Sequence, residues 1–204
     1  MLMQTMRGQI VARIDRLGAG KVFSAKDFLD IASRGTIDMS LTSLTRSGTI
    51  RRVRRGLYDK PRVNPSLGGE LSPDLDEAAR AIARRYRWKI VPEGAWAANL
   101  LGLSTQVPAR VIYLTDGPNN EVQIGRRTIH FKHARPQAMA GLEGKFALVV
   151  QALRHRGKEG VGSREIETLK AALSPAEKRR LVKDTRFSAN WIYEVAKQIM
   201  EKTA

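Results

Sequence analysis

Arg51, Arg52, Arg54 and Arg55 place four guanidinium groups within five residues, and Asp59 is the one acid close by. A guanidinium stays charged at every physiological pH and offers a planar fork of donors that fits phosphate. Four of them on a short hairpin suit phosphate contacts or insertion into a narrow minor groove. Tyr58, which closes the run Arg54-Arg55-Gly56-Leu57-Tyr58, is assigned to the same surface. A second group lies just upstream. If Leu41 and Leu44 face a core, then Ser40, Thr42, Ser43, Arg46 and Ser47 face outward on one helix. Small polar residues permit close approach to a major groove, a threonine methyl can touch thymine, and Arg46 can reach guanine or a phosphate. The bland alternative for either group is a solvated polar surface.

Other chemistries find little to build on. The chain has three histidines, and His130 and His133 lie an odd number apart on an expected strand, so they point to opposite faces. No carboxylate pattern completes a metal site around them. There is no GxSxG elbow, Walker A loop or GxGxxG turn. Carboxylates fall mostly at expected helix starts, where capping accounts for them. No catalytic residue, metal or cofactor is therefore expected, and the reading is of a binding protein and not of an enzyme. The absence of cysteine removes disulfides and thiolate metal sites and fits a reducing cytoplasm.

The elements that would position the arginines follow from periodicity. A first helix is expected over about 4–16, with Ile10, Val11 and Ile14 at helical spacing and Gly18 and Gly20 ending it. Ser24 and Asp27 have the spacing of a capping box that opens a second helix, with Phe28, Leu29 and Ala32 inward. Arg34-Gly35-Thr36 reads as a turn with Thr36 a candidate cap, and a third helix runs from about Ile37 to Arg46 before Gly48. Ile50 and Val53 do not alternate perfectly, so a turn or bulge around Arg54-Arg55-Gly56 is needed to make a hairpin. Three short helices followed by a basic hairpin are the order of a winged helix-turn-helix, with Arg51–Tyr58 as the wing.

Charge supports a polyanionic partner. The chain carries 36 Lys and Arg against 20 Asp and Glu, a formal net charge of +16. Residues 1–62 hold 13 basic and 5 acidic side chains, half the excess in less than a third of the length. Nucleic acid is the first candidate and an anionic membrane surface the second. No apolar stretch approaches the roughly 18–20 residues a membrane span needs, and the N-terminus lacks the apolar core of a signal peptide. No membrane partner and a cytoplasmic location are expected. Pro61–Pro73 is the expected linker, rich in proline, glycine and small polar residues. Beyond it a helix over 74–87, strands near 88–91, 110–115, 121–124 and 128–133, and helices over 142–155, 165–173, 175–183 and the last residues after Ser188 are expected. The fold class is α+β: a winged helix-turn-helix over residues 1–62, then a mixed α/β domain over 63–204 ending in helices.

The pattern of a winged helix, Arg54-Arg55-Gly56-Leu57-Tyr58, then Ala97-Ala98-Asn99-Leu100-Leu101-Gly102-Leu103-Ser104 and Pro108-Ala109-Arg110-Val111-Ile112-Tyr113-Leu114-Thr115 resembles AbiEi-type antitoxins of type IV abortive-infection systems. The Ile129-His130-Phe131-Lys132 strand adds to the likeness, which covers roughly residues 5–155. The resemblance implies an N-terminal domain that binds operator repeats and represses its own operon. It also implies a C-terminal domain that opposes a nucleotidyltransferase-like toxin without a stable complex. Two copies on one duplex operator are expected. Two other readings stay open. A winged-helix regulator with a small-ligand-sensing second domain would show a roomy apolar pocket within residues 75–140. An enzyme acting on RNA or a nucleotide would show buried carboxylates with shifted pKa values.

Overall fold

The computed structural model describes residues 2–135 and 144–201. The chain is mixed α and β and divides into two units. The first comprises Met1–Trp88 with Val122–Ile129, and the second comprises Lys89–Glu121 with the residues from His130 onward. The expected boundary after residue 62 thus falls inside the first unit.

In the first unit, helix α1 (Leu2–Leu17) buries Ile10 and Ile14. It leads into the two-residue strand β1 (Val22–Phe23). The box at Ser24 forms: the Asp27 carboxylate accepts from the Ser24 backbone N–H at 2.7 Å and from its hydroxyl at 3.0 Å. The helix it opens is shorter than expected, a single 3-10 turn over Ala25–Phe28. Phe28 is fully buried but Leu29 is 53% exposed, so no apolar stripe continues past the first turn to hold a longer helix. Helix α2 (Arg34–Arg46) starts one turn earlier than its apolar spacing suggests. Ser33, not Thr36, is the cap, and its hydroxyl accepts from the Thr36 N–H. Ile37, Leu41 and Leu44 join Ile10, Ile14, Phe23, Phe28 and Ile50 in one core.

Strands β2 (Arg51–Arg54) and β3 (Leu57–Asp59) form the basic hairpin. Arg51 pairs with Asp59, Arg52 with Tyr58 and Arg54 with Leu57, so Val53 is the extra residue of a bulge. That bulge resolves the imperfect alternation of Ile50 and Val53. Gly56 turns the chain at φ +78°, a conformation that costs an L side chain about 1–2 kcal/mol. β1 completes a three-stranded sheet in the order β1-β3-β2. The Pro61–Pro73 stretch is not slack: β4 (Val63–Asn64) and β5 (Gly69–Glu70) pair within it. Helix α3 (Leu75–Tyr86) follows. Asp74 caps it by accepting from Asp76 and Glu77 N–H groups, and Arg87 ends it in the left-handed region at φ 59°. Ala78, Ala79, Ala81, Ile82 and Ala83 are buried. The Arg84 guanidinium donates to the Val22 carbonyl at 2.9 Å, which ties α3 to β1.

In the second unit, β6 (Ile90–Pro92), helix α4 (Gly94–Leu100), β7 (Val111–Thr115), β8 (Asn120–Ile124) and β9 (Arg127–His133) follow in turn. The four strands form a sheet in the order β6-β7-β9-β8, and the tip of the β8–β9 hairpin is grouped with the first unit. Trp96 and Tyr113 are buried and share a hydrogen bond of 2.8 Å. Helices α5 (Gly144–Arg156), α6 (Ser163–Ala172), α7 (Pro175–Asp184) and α8 (Asn190–Met200) close the chain. The start expected for α5 at Leu142 lies outside the described residues. Ala147, Val150, Leu153, Leu169, Leu181, Ile192 and Ile199 build one core with Ala97 and Ala98 of α4. Among the described residues no helix is long and apolar enough to cross a membrane.

Candidate nucleic-acid interface

The four hairpin arginines have different fates. Arg51 is a structural residue. Its Nε and Nη2 grip the two Asp59 oxygens at 3.1 and 2.7 Å, and its Nη1 donates to the Leu71 carbonyl at 3.0 Å. The Asp59 side chain is 1% exposed, so its charge relies on that fork. The hydrogen bond to Asp59, opposed in part by burial, raises the Arg51 pKa. With its donors committed, Arg51 does not reach outward, which corrects its assignment to the interface. Tyr58 is also corrected. It is 6% exposed and stacks on Phe23 with centroids 6.4 Å apart, because β3 is the central strand of its sheet.

Arg52, Arg54 and Arg55 are exposed. Arg52 lies over the Tyr58 ring, 5.7 Å from its centroid, which braces the guanidinium without neutralising it. Among the described residues Arg54 and Arg55 have no ion-pair or hydrogen-bond partner. Three exposed cations on a short hairpin give a concentrated positive field and low desolvation cost on meeting phosphate.

On α2, Arg46 is exposed and unpaired, and Thr42 and Ser43 are half-buried. Ser40 is corrected: it is 8% exposed, and its hydroxyl donates back to the Thr36 carbonyl at 2.9 Å. A helix with buried Ile37, Leu41 and Leu44 has a core face wide enough to include position 40. The face turned from the core runs through the exposed Gly35, Met39 and Arg46 and the half-buried Thr42 and Ser43. Met39 is 58% exposed and was missed by reading polar types alone. Its signal was positional, three residues before Thr42 and four before Ser43.

Three further cations come from places that sequence spacing does not connect. Lys26 of the 3-10 turn, Arg34 of the first turn of α2 and Arg85 of the last turn of α3 line a notch of about 60 Å³ with Ser24, Ala25 and Gly56. Arg34 Nε is bonded to Asp38 at 2.8 Å, and Lys26 Nζ donates to the Arg85 carbonyl at 3.3 Å. Arg85 lies over the Tyr86 ring at 5.6 Å, and Tyr86 stacks on Trp88 at 4.8 Å. No sequence motif announces this set, since its members are up to 59 residues apart.

Two clefts lie among the described residues of the second unit. One of about 330 Å³ is lined by Ser104, Thr105, Gln106, Arg156, Arg164, Glu165 and Thr168, among others. Asn99 Nδ2 holds one wall by donating to the Ser104 and Gln106 carbonyls. The other, about 190 Å³, lies between α5 and α7 around Phe146, Val149 and Leu181. Neither is an apolar pocket within residues 75–140. Among the described residues Asp59 is the one buried carboxylate, and no group of three His, Cys, Asp or Glu is placed to hold a metal. His130 faces Glu121 at 3.0 Å and His133 faces the Gly117 carbonyl at 2.9 Å.

No curated protein matches the chain. Among solved structures, the RV2827C protein from Mycobacterium tuberculosis is similar at 16% identity, over 96% of this chain and 76% of that one, with a TM-score of 0.45. A family described as being of unknown function matches residues 9–181. With most of its length matched, the chain belongs to that family, DUF6088.

Proposed function

We propose that this protein binds duplex DNA through its first unit and, following the resemblance to AbiEi-type antitoxins, represses its own operon and counteracts a nucleotidyltransferase-like toxin. The observation that carries the DNA reading is the set of exposed cations without acidic partners, Arg46 on α2 and Arg52, Arg54 and Arg55 on the β2–β3 hairpin. The order α1, β1, 3-10 turn, α2, β2, β3 supports a winged helix-turn-helix, with α2 as the base-reading helix and the hairpin as the wing. Thr42, Ser43 and Met39 would then meet base edges and Arg46 a base or phosphate, while the wing arginines hold the backbone.

Replacing Arg52, Arg54 and Arg55 together with alanine should weaken binding to every duplex. It should also flatten the dependence of log K on log salt by about three units of slope, close to 0.9 per lost phosphate contact. Unchanged affinity for the DNA upstream of the gene would sink the wing assignment. The antitoxin part is tested by co-expressing the same triple variant with the neighbouring gene. Rescue of growth by a chain that no longer binds DNA separates toxin neutralisation from repression.

A second reading, ligand sensing, is favoured by the 330 Å³ cleft, which is large enough for a small molecule and lined by two arginines and three hydroxyls. It predicts a rise in melting temperature with a small anionic compound that is lost in Arg164→Ala.

A further inference from the structure

We infer that the notch formed by Lys26, Arg34, Arg85 and Gly56 is a seat for one backbone phosphate of duplex DNA, which brings α3 into the DNA footprint; this rests on the DNA reading above. The three cations come from three separate elements, and one carboxylate, Asp38, accompanies them, on Arg34. Like charges gathered around one concavity repel each other, and an anion seated among them reverses the sign of that energy. The size decides the class of ligand. About 60 Å³ admits the outer oxygens of a phosphate and is far short of the roughly 300 Å³ of a pocket that encloses a small-molecule ligand.

The notch is built, and its parts are held. Gly56 has no side chain at the point where a Cβ would stand 3.2 Å from the Arg85 guanidinium, so the turn of the hairpin can lie against that charge. Lys26 fixes the end of α3 through the Arg85 carbonyl and keeps two ammonium hydrogens for an anion. Arg34 spends its Nε on Asp38 and keeps its terminal nitrogens. Arg84, one residue before Arg85, is spent on the Val22 carbonyl and lies 3.6 Å from Asp27, so the two adjacent arginines divide the work. Arg84 ties α3 to β1, and Arg85 is left with a tyrosine face and no acid. The notch adjoins Arg54 and Arg55 in sequence and fold, because Gly56 is the turn those residues enter. A free phosphate ion would satisfy the same groups, but the exposed Arg54 and Arg55 next to Gly56 extend the positive charge beyond the notch, as a polyanion requires.

The test uses the full chain, a duplex of the upstream promoter sequence and a scrambled duplex of equal length, titrated at several salt concentrations. Arg85→Ala should weaken both duplexes alike and lower the salt slope by about one, so that raising salt from about 50 to 200 mM costs the variant about fourfold less affinity than wild type. Arg85→Lys should restore the slope, because a point charge suffices for one phosphate. Lys183→Ala, on α7, should leave the slope unchanged. A lost helix contact without a lost phosphate would change the melting temperature and leave the slope alone. An Arg85→Ala slope equal to wild type, in a chain whose wing triple variant does lose slope, overturns the notch and spares the DNA reading. A wild-type chain with no salt-dependent affinity for either duplex overturns both. Uptake of inorganic phosphate that Arg85→Ala abolishes, with no duplex bound, reassigns the notch to a small anion and overturns the DNA seat.

Discussion

Arg51 and Arg55 look alike in the sequence and differ in what they face. Arg51 sits opposite Asp59 in the β2–β3 register, so its fork closes on a buried carboxylate. Arg55 sits in the turn, where no partner strand supplies an acid. The two should therefore respond oppositely to substitution. Asp59→Asn should lower stability by about 2–3 kcal/mol, less than the roughly 3–5 kcal/mol for a fully buried pair, because Arg51 keeps 27% of its side chain in water. Chemical denaturation reads this directly. Arg54→Ala with Arg55→Ala should change stability by less than about 0.5 kcal/mol, as exposed residues without partners do, while weakening DNA binding. Residue types alone do not separate these cases. Arg51 and Val53 are half-buried and Arg52 and Arg54 exposed, but which arginine meets an acid depends on pairing with β3.

At the scale of elements, capping was legible only in part, since Ser33 and not Thr36 caps α2, and helix length was not. Asp27, Asp74 and Glu177 each sit where a side-chain oxygen meets free N–H groups, and each does so in the structure. The helix after Ser24 nevertheless stops at one 3-10 turn, because a cap starts a helix and burial of further turns sustains it. Helix α6 gives a pH-dependent example. The backbone N–H of Gly162 donates to Glu165 Oε2 at 3.0 Å, and Arg156 donates to Oε1 at 3.0 Å. Chiefly through that backbone bond, Glu165 is held below its usual pKa. Its stabilisation is thus fully present above the ordinary glutamate pKa, about 4.3, and is lost as pH falls through the lowered native value. The melting-temperature gap between wild type and Glu165→Gln should be widest at neutral pH and narrow below about pH 4. A gap that does not change over that range would contradict the cap's role. At Gly56, valine should cost at least about 1–2 kcal/mol from the positive φ alone, read by thermal melting.

At the scale of the whole molecule, net charge sets an expectation that no single residue does. If Arg46, Arg52, Arg54, Arg55 and the notch together make about five phosphate contacts, log K should fall with log salt at a slope of about −4 to −5. A slope near zero would mean that the +16 charge keeps the chain soluble and serves no polyanion. The charge excess of residues 1–62 lies within the first unit, which runs on beyond them through α3.

The sequence by itself determined the class of the fold, the existence of nearly every helix and strand, the capping boxes at Ser24 and Ser174, the bulged basic hairpin and the excess of positive charge. These follow from periodicity, turn chemistry and composition, which act over a few residues. Tertiary structure alone decided that Arg51 and Tyr58 face inward, that Ser40 bonds its own backbone, and that the first unit runs on through α3. It alone brought Lys26, Arg34 and Arg85 around Gly56. The physical reason is common to all of these. A side chain's freedom to bind depends on which partner the folded chain places across from it, and those partners come from sequence positions that no local pattern connects.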